Sequence, residues 1–345
     1  MIKKEEAENY YSKDFDWDQL KQEIESDSSL LYHLLPFRDC ENGSEMDNCA
    51  NAAVVDEKDR LESSTSSPVE DSQAWNKFHT RHSSGKFFKE RRYLLKEFPE
   101  LASCGDYCKV LEVGCGNGST VLPILRGNET IIVYACDCSN EALNRAKDMI
   151  NAANLVSAMH RFHPFLCDFS TSRFPMWLAC GSCRKSFFLK EYINCSDAIS
   201  VSGGDICKPS CSMENSCCIG GVDLVTLIFT LSALPLERMP IAIQECFSVI
   251  KPGGILLFRD YGLYDMTMLR FAPEQRVGYR EYMRSDGTRS YFFSLESLRD
   301  LFSSVGFIEL ELDYCCVRSV NRRKGKIMRR VWVHGKFQKP SQVQT

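Results

Sequence analysis

Apolar positions along most of this chain alternate between short unbroken runs and stretches spaced three or four apart. Residues 109–113, 131–135, 163–167 and 255–258 are short runs that predict strands. Residues 222–231 form a longer apolar run without polar alternation, the pattern of a strand buried on both faces. Between these runs, residues 119–125, 140–151 and 236–250 carry helical spacing. Ser139 or Asn140 caps the second helix, and Lys251-Pro252-Gly253-Gly254 stops the third. Residues 294–305 predict another helix, and residues 309–317 and 328–337 predict two strands joined by a basic turn. Strand–helix alternation predicts a mostly parallel sheet with helices on both faces. The closing strands, with no helix between them, predict an antiparallel hairpin at one edge.

The N-terminal part reads differently. Residues 15–24 carry a modest helical pattern, and residues 40–72 are rich in Ser, Asn, Asp and Glu and predict an acidic, disordered linker. Order is expected to resume at Trp75. Phe87, Phe88, Leu94, Leu95 and Phe98 recur at helical spacing and predict a helix that Pro99 closes. The expected organisation is an N-terminal segment (1–39), the linker (40–72), one domain (73–339) with a Cys-rich insertion at 170–221, and a short tail (340–345).

The 345 residues, 44% of them hydrophobic, suffice for such a domain. No apolar run approaches the ~20 residues of a membrane helix, so no membrane partner is expected. The first residues are charged and lack the apolar stretch of a secretory signal. The 18 cysteines are therefore expected as thiols or metal ligands in a reducing, cytoplasmic compartment.

Candidate chemistry begins at Glu112-Val113-Gly114-Cys115-Gly116-Asn117-Gly118, which follows a predicted strand and opens a helix. Glycines there let the backbone turn sharply and approach a ligand closely. Their spacing departs from the dinucleotide fingerprint, in which a small residue falls five places after the first glycine. Asp137 ends the next strand, where a carboxylate can accept from both ribose hydroxyls. Asp168 ends the third, where a side chain can accept from an adenine amino group. All three features fall on the carboxyl edge of the sheet, where ligands of open α/β folds bind.

The glycine loop resembles the first motif of class I, S-adenosylmethionine-dependent methyltransferases. More specific stretches are Trp75-Asn76-Lys77-Phe78, Phe87-Phe88-Lys89-Glu90-Arg91, Glu97-Phe98-Pro99-Glu100-Leu101, Leu227-Ile228-Phe229-Thr230-Leu231-Ser232-Ala233, Leu257-Phe258-Arg259-Asp260-Tyr261-Gly262 and Asp286-Gly287-Thr288-Arg289-Ser290-Tyr291-Phe292-Phe293. Together they resemble the tRNA N3-methylcytidine methyltransferases of the methyltransferase-like family. The resemblance implies a Rossmann-like sheet, S-adenosyl-L-methionine as cofactor, and N3-methylation of a cytidine at position 32 in the anticodon loop of certain tRNAs. It further implies cofactor contacts at Trp75, Gly114, Asp137, Asp168, Phe169 and Ile228, with Gly116 and Gly118 completing the loop. The family usually has a tyrosine four residues after the tryptophan. Here His79 stands in that place and can still donate a hydrogen bond.

N3 of neutral cytosine carries a lone pair and no proton, so it attacks a methyl group without a general base. The enzyme must orient the reactants and offset the growing positive charge. Asp260, expected just past the fifth strand, could accept from the exocyclic amine; alternatively it pairs with Arg259 or caps a loop. Phe229 and Tyr261 could stack on an extruded base, and a phenylalanine in a buried strand can equally be core.

Between Lys77 and Lys96 lie seven basic residues and one acid; between Arg318 and Lys339 lie nine basic residues and none. This segregation suggests patches for an RNA backbone. Candidates are Lys86, Lys89, Arg91, Arg92, Arg322, Arg323 and Arg329, with Arg259, Arg284 and Arg289 as further contacts. A solvated charged face is the plainer alternative. In the insertion, Cys180, Cys183, Cys207 and Cys211 have spacings that suit a structural zinc, or they are incidental thiols of a loop. The expected partner is tRNA; an aminoacyl-tRNA synthetase or other helper is left open. The rivals are a methyltransferase for a small molecule or protein, and a non-catalytic RNA-binding protein that keeps the fold.

Overall fold

The computed structural model describes residues 14–36, 68–82, 90–155, 158–188, 218–321 and 325–341. Its centre is a seven-stranded sheet. The strands are β1 (Lys109–Val113), β2 (Ile132–Asp137), β3 (Phe162–Leu166), β4 (Val222–Ile228) and β5 (Ile250–Tyr261). Three short strands, β6 (Arg276–Gly278), β7 (Glu281–Met283) and β8 (Arg289–Tyr291), form a separate small sheet. The large sheet is completed by β9 (Ile308–Asn321) and β10 (Lys326–Gln338). Its order is β3-β2-β1-β4-β5-β10-β9. The first five strands run parallel, and β10 runs antiparallel to both β5 and β9. The predicted α/β class and edge hairpin are both present.

Strand alternation sends neighbouring side chains to opposite faces. On one face Val110, Val133 and Leu257 pack against Val121, Ile124, Ala146 and Ile150 from two helices. On the other, Leu111, Val225, Leu227 and Phe258 pack against Met239, Ile243 and Phe302. Both faces of the central strands β1 and β4 are thereby covered, which explains their mostly apolar sequence. Ser139 caps the helix Asn140–Ala152 by accepting from the Ala142 amide at 3.2 Å, and Ser294 caps Leu295–Ser303 in the same way.

Four expectations are corrected. The helix Pro68–Arg81 begins inside the predicted linker. Its early residues are held by tertiary contacts: Asp71 pairs with Arg238 at 2.9 Å, and Ser72 donates to Asp168 at 3.1 Å. The helix expected over 87–98 is, among the described residues, only Leu94–Glu97, because the Arg91 amide donates to Ser119 O across to the glycine loop. Lys251-Pro252-Gly253-Gly254 does not precede the fifth strand but bulges out of it, since the register steps from Val222↔Ile250 to Leu224↔Ile255. The predicted insertion also begins too early: Phe174, Leu178 and Ala179 are core residues.

Residues 14–36 pack onto the hairpin side of the sheet. Leu20 and Ile24 of the helix Trp17–Ser26 are buried. Trp17 stacks on Tyr314 with ring centres 4.6 Å apart, and the Tyr32 hydroxyl donates to Phe271 O at 2.6 Å. No helix among the described residues is long and apolar enough to cross a membrane.

Candidate active site

The order of the parallel strands reverses between β1 and β4, and a cleft opens at their carboxyl ends. The loop after β1 forms its floor. Gly114 has φ +65°, and a β-carbon there would lie 2.3 Å from Thr230 Cγ2. Thr230 is held in place by its own bond to Val113 O at 3.0 Å. Glycine at 114 is thus required twice, by conformation and by space. Gly116 lines the cleft. Gly118 does not: its α-carbon packs against the helix after β2, where a β-carbon would meet Ala146 Cβ at 3.2 Å.

Asp137 ends β2 and is buried. One oxygen accepts from the Gly116 amide at 2.9 Å, the other from the Ser139 amide at 2.9 Å. Burial raises its pKa, and His79 opposes the rise. Burial pulls the His79 pKa down, against the pull of Asp137. Asp168 follows β3 and accepts from the Ser170 amide and hydroxyl at 3.1 and 2.7 Å. The helix Pro68–Arg81 lies over these acids and contributes Trp75, Phe78 and His79 to the wall; its Asn76 accepts from the Ser139 hydroxyl at 2.8 Å. Phe169 and Ile228 complete the apolar side.

The cleft therefore gathers Trp75, His79, Gly114, Gly116, Asp137, Asp168, Phe169 and Ile228, all expected there. It also holds residues that sequence reasoning missed, among them Phe78, Asn117, Cys138 and Leu234. Phe78 sits three residues after Trp75, one turn along the same helix face, and that spacing was a readable signal. Asn117 Oδ1 is buried without a hydrogen-bond partner among the described residues. An orphaned acceptor on a cleft wall fits a ligand that brings a donor, such as the ammonium group of an amino acid. With two acids beyond the strand ends and an apolar slot between them, the donor set fits S-adenosylmethionine. Beneath the loop, Glu112 is fully buried, accepts from the Thr226 hydroxyl, and has its pKa raised to about 7 by burial.

Phe229 follows β4 with φ +55°, an unusual conformation for a bulky residue. Its ring is half-buried on the cleft wall, 5.1 Å from Tyr261 and 5.4 Å from the Arg91 guanidinium. It is not simply core. Tyr261 backs Phe229 and packs on Phe292 at 5.6 Å. Asp260 lies within β5, not past it, because the strand runs to Tyr261. It is wholly buried, accepts from the Ser232 and Tyr261 amides at 2.9 and 2.8 Å, and has its pKa raised to about 6 by burial. It braces the turn after Phe229 and does not line the cleft.

The basic residues divide. Arg259 is 2% exposed, pairs with Glu97, and has its guanidinium 4.5 Å from the Trp332 ring centre. Arg289 is 6% exposed and lies 2.8 Å from Glu281 and 3.5 Å from Asp71. Neither offers its charge to solvent, so both expectations of an RNA contact are corrected: carboxylates from distant elements draw these side chains inward. Arg284 is half-buried and donates to Arg289 O at 3.1 Å. Arg91 turns to the cleft and donates to the Thr120 hydroxyl at 3.1 Å. Arg92 and Arg329 are exposed, and pair with Glu90 at 3.0 Å and Glu23 at 2.6 Å. Lys86, Lys89, Arg322 and Arg323 lie outside the described residues, as do Cys207 and Cys211. Cys180 and Cys183 meet a third cysteine, Cys218, which the expected ligand set did not include.

A methyltransferase-domain family model matches residues 80–311. The chain is 34% identical over 270 residues to the tRNA N(3)-cytidine methyltransferase METTL6 of Homo sapiens, covering 77% of this chain and 79% of that protein. It is 33% identical over 301 residues to the tRNA N(3)-cytidine methyltransferase METTL2 of Danio rerio, covering 77% and 72%. O-methyltransferase 3 of Dictyostelium discoideum is 34% identical over 67% of this chain, but over only 44% of its own length. Shared length on both sides, together with a cleft built at the motif positions, places the chain in the tRNA N(3)-cytidine methyltransferase family of methyltransferase-domain proteins.

Proposed function

We propose that this protein is an S-adenosylmethionine-dependent enzyme that forms N3-methylcytidine in tRNA, at position 32 of the anticodon loop. The observation that carries this reading is the meeting of the glycine loop, Asp137 and Asp168 with the aromatic wall of Phe229 at one sheet edge. Gly114, Gly116 and Asn117 would hold the amino acid end of the cofactor, Asp137 the ribose and Asp168 the adenine, with Trp75 and His79 over them. When bound, S-adenosylmethionine supplies an electrophilic methyl group.

Phe229 offers a flat face on which a base can stack, and Tyr261 and Trp332 support it at 5.1 and 6.4 Å. Its left-handed backbone turns the ring from the strand into the cleft. Asp260 acts through this turn as a positioning residue, since both of its oxygens are taken by amides. No residue has to remove a proton from N3, so alignment and exclusion of water are the chain's main contributions. Of the expected RNA contacts, Arg92 and Arg329 are described residues exposed on the two basic stretches, where they could reach phosphate.

Incubating the protein with a labelled methyl donor and total tRNA, then digesting to nucleosides, tests the reading. Label in N3-methylcytidine is expected, and label in any other nucleoside, or only in protein or small molecules, overturns it. A synthetase or other helper that selects the tRNA would raise the rate without changing the nucleoside formed.

A further inference from the structure

Away from the cleft, three thiols converge where the chain leaves the core after β3 and returns to begin β4. The ligand-capable Sγ atoms of Cys180, Cys183 and Cys218 all lie within 4.8 Å of one another. Cys183 Sγ and Cys218 Sγ are 3.5 Å apart. We propose that these three cysteines bind a zinc ion as thiolates, and that the ion clamps the two ends of the intervening segment to the sheet.

The backbone is built for this. Cys180 and Cys183 form a C-x-x-C unit at the start of the helix Gly181–Phe188, the close spacing with which one chain segment supplies two sulfurs to a single ion. The Cys183 amide points at Cys180 Sγ at 3.5 Å, and the Gly220 amide points at Cys218 Sγ at 3.3 Å. Amide donors aimed at two of the sulfurs fix their positions in the cluster. Gly220 has φ +77° and Gly221 φ +80°, so the chain turns sharply after Cys218 without a side-chain penalty.

Distant parts of the sequence are then held in register. The Ile219 amide donates to Trp177 O at 2.8 Å and the Gly221 amide to Leu178 O at 2.9 Å. Lys109, at the start of β1, donates to Ile219 O at 2.6 Å. These bonds fix the Cys218 segment against the Cys180 segment before any ion arrives, so little chain entropy is lost on binding. Three thiolates define one face of a tetrahedron, and a zinc ion takes one donor more. A disulfide would join two of the three sulfurs and leave the third unused, whereas a soft metal uses all of them. The site lies at the opening ends of β1 and β4, opposite the edge that forms the cleft, so its ion is structural and takes no part in methyl transfer.

The test uses the full chain purified under reducing conditions. Metal analysis is expected to find one equivalent of zinc. Replacement by cobalt(II) is expected to give the visible and thiolate charge-transfer bands of a tetrahedral thiolate site. Cys183→Ser with Cys218→Ser is expected to lose the ion while affinity for S-adenosylmethionine stays unchanged. Should that variant fail to fold, alkylation of the wild-type chain with and without added zinc decides the matter. Cys180, Cys183 and Cys218 are expected to be protected by zinc, and Cys104 is not. Absence of bound metal after zinc loading, retention of zinc by the folded double variant, or equal alkylation with and without zinc overturns the proposal.

Discussion

The carboxylate of Asp137 accepts the backbone N–H of Gly116 at 2.9 Å, which makes the end of the second strand and the glycine loop one hydrogen-bonded unit. The acid thus has two tasks: it shapes the loop, and its remaining lone pairs face the cleft. Asp137→Ala is expected to abolish S-adenosylmethionine binding in calorimetry while leaving tRNA affinity largely intact. Equal loss of both would make the residue a general folding determinant.

Gly114→Ala meets the loop from the other side. The new methyl group would overlap Thr230 Cγ2, and the backbone would remain at φ +65°. A loss of about 1–3 kcal/mol of stability is expected from the overpacking alone. Cofactor affinity should fall by about tenfold or more, equivalent to about 1.4 kcal/mol. Denaturant titration and calorimetry measure the two effects separately.

The basic residues should behave as two classes. Arg259→Ala leaves Glu97 buried without its guanidinium, and destabilisation by about 3–5 kcal/mol is expected in urea unfolding. Arg329 is exposed, and Arg329→Ala should change stability by less than about 1 kcal/mol. Charge reversal at Arg329 together with Arg322 and Arg323 should weaken tRNA binding and flatten its salt dependence. An unchanged salt slope would remove this stretch from the RNA interface.

Asp260→Asn replaces one acceptor with a donor opposite a backbone N–H. The Ser232 or the Tyr261 amide loses its partner, and the turn carrying Phe229 loosens. An unsatisfied buried amide costs about 1–3 kcal/mol, so a lower melting temperature is expected. The positioning role predicts in addition that kcat falls more than cofactor or tRNA affinity. Unaltered turnover in a folded variant would confine the residue to stability.

Glu112 gives a pH signature. Burial raises its pKa from 4.5 to about 7, so the folded chain holds this proton more tightly than the unfolded chain. The stability that the group contributes is complete below the unfolded value and is lost as pH rises through about 7. Glu112→Gln removes that slope. The unfolding free energy of the variant relative to wild type should therefore rise by roughly 3 kcal/mol across this window. Parallel curves for the two proteins would count against an ionising Glu112.

Much of the architecture was legible because each local pattern agreed with the global one. The runs at 109–113 and 222–231 both marked strands covered on two sides, but the second strand ends at Ile228, where the left-handed backbone of Phe229 breaks the run. The glycine loop followed by two acids at successive strand ends announced a nucleotide-like ligand. Boundaries were less legible where long-range bonds competed with local propensity, as at Arg91, whose amide serves the glycine loop, and at Ser72, which is recruited by Asp168.

The chain alone determined the alternation of strand and helix, the family motifs, and the identity of the acids and glycines, since all of these are written in spacing. Only the tertiary structure decided which charges stay at the surface. Arg259 and Arg289 look the same in sequence as Arg92 and Arg329, but carboxylates brought from far along the chain draw the first two inside. The same holds for Cys218, whose approach to Cys180 and Cys183 depends on the backbone bonds of Ile219 to Trp177 and of Gly221 to Leu178. Local pattern encodes local conformation; burial and pairing of a charge or a thiol depend on neighbours that only the folded chain brings together.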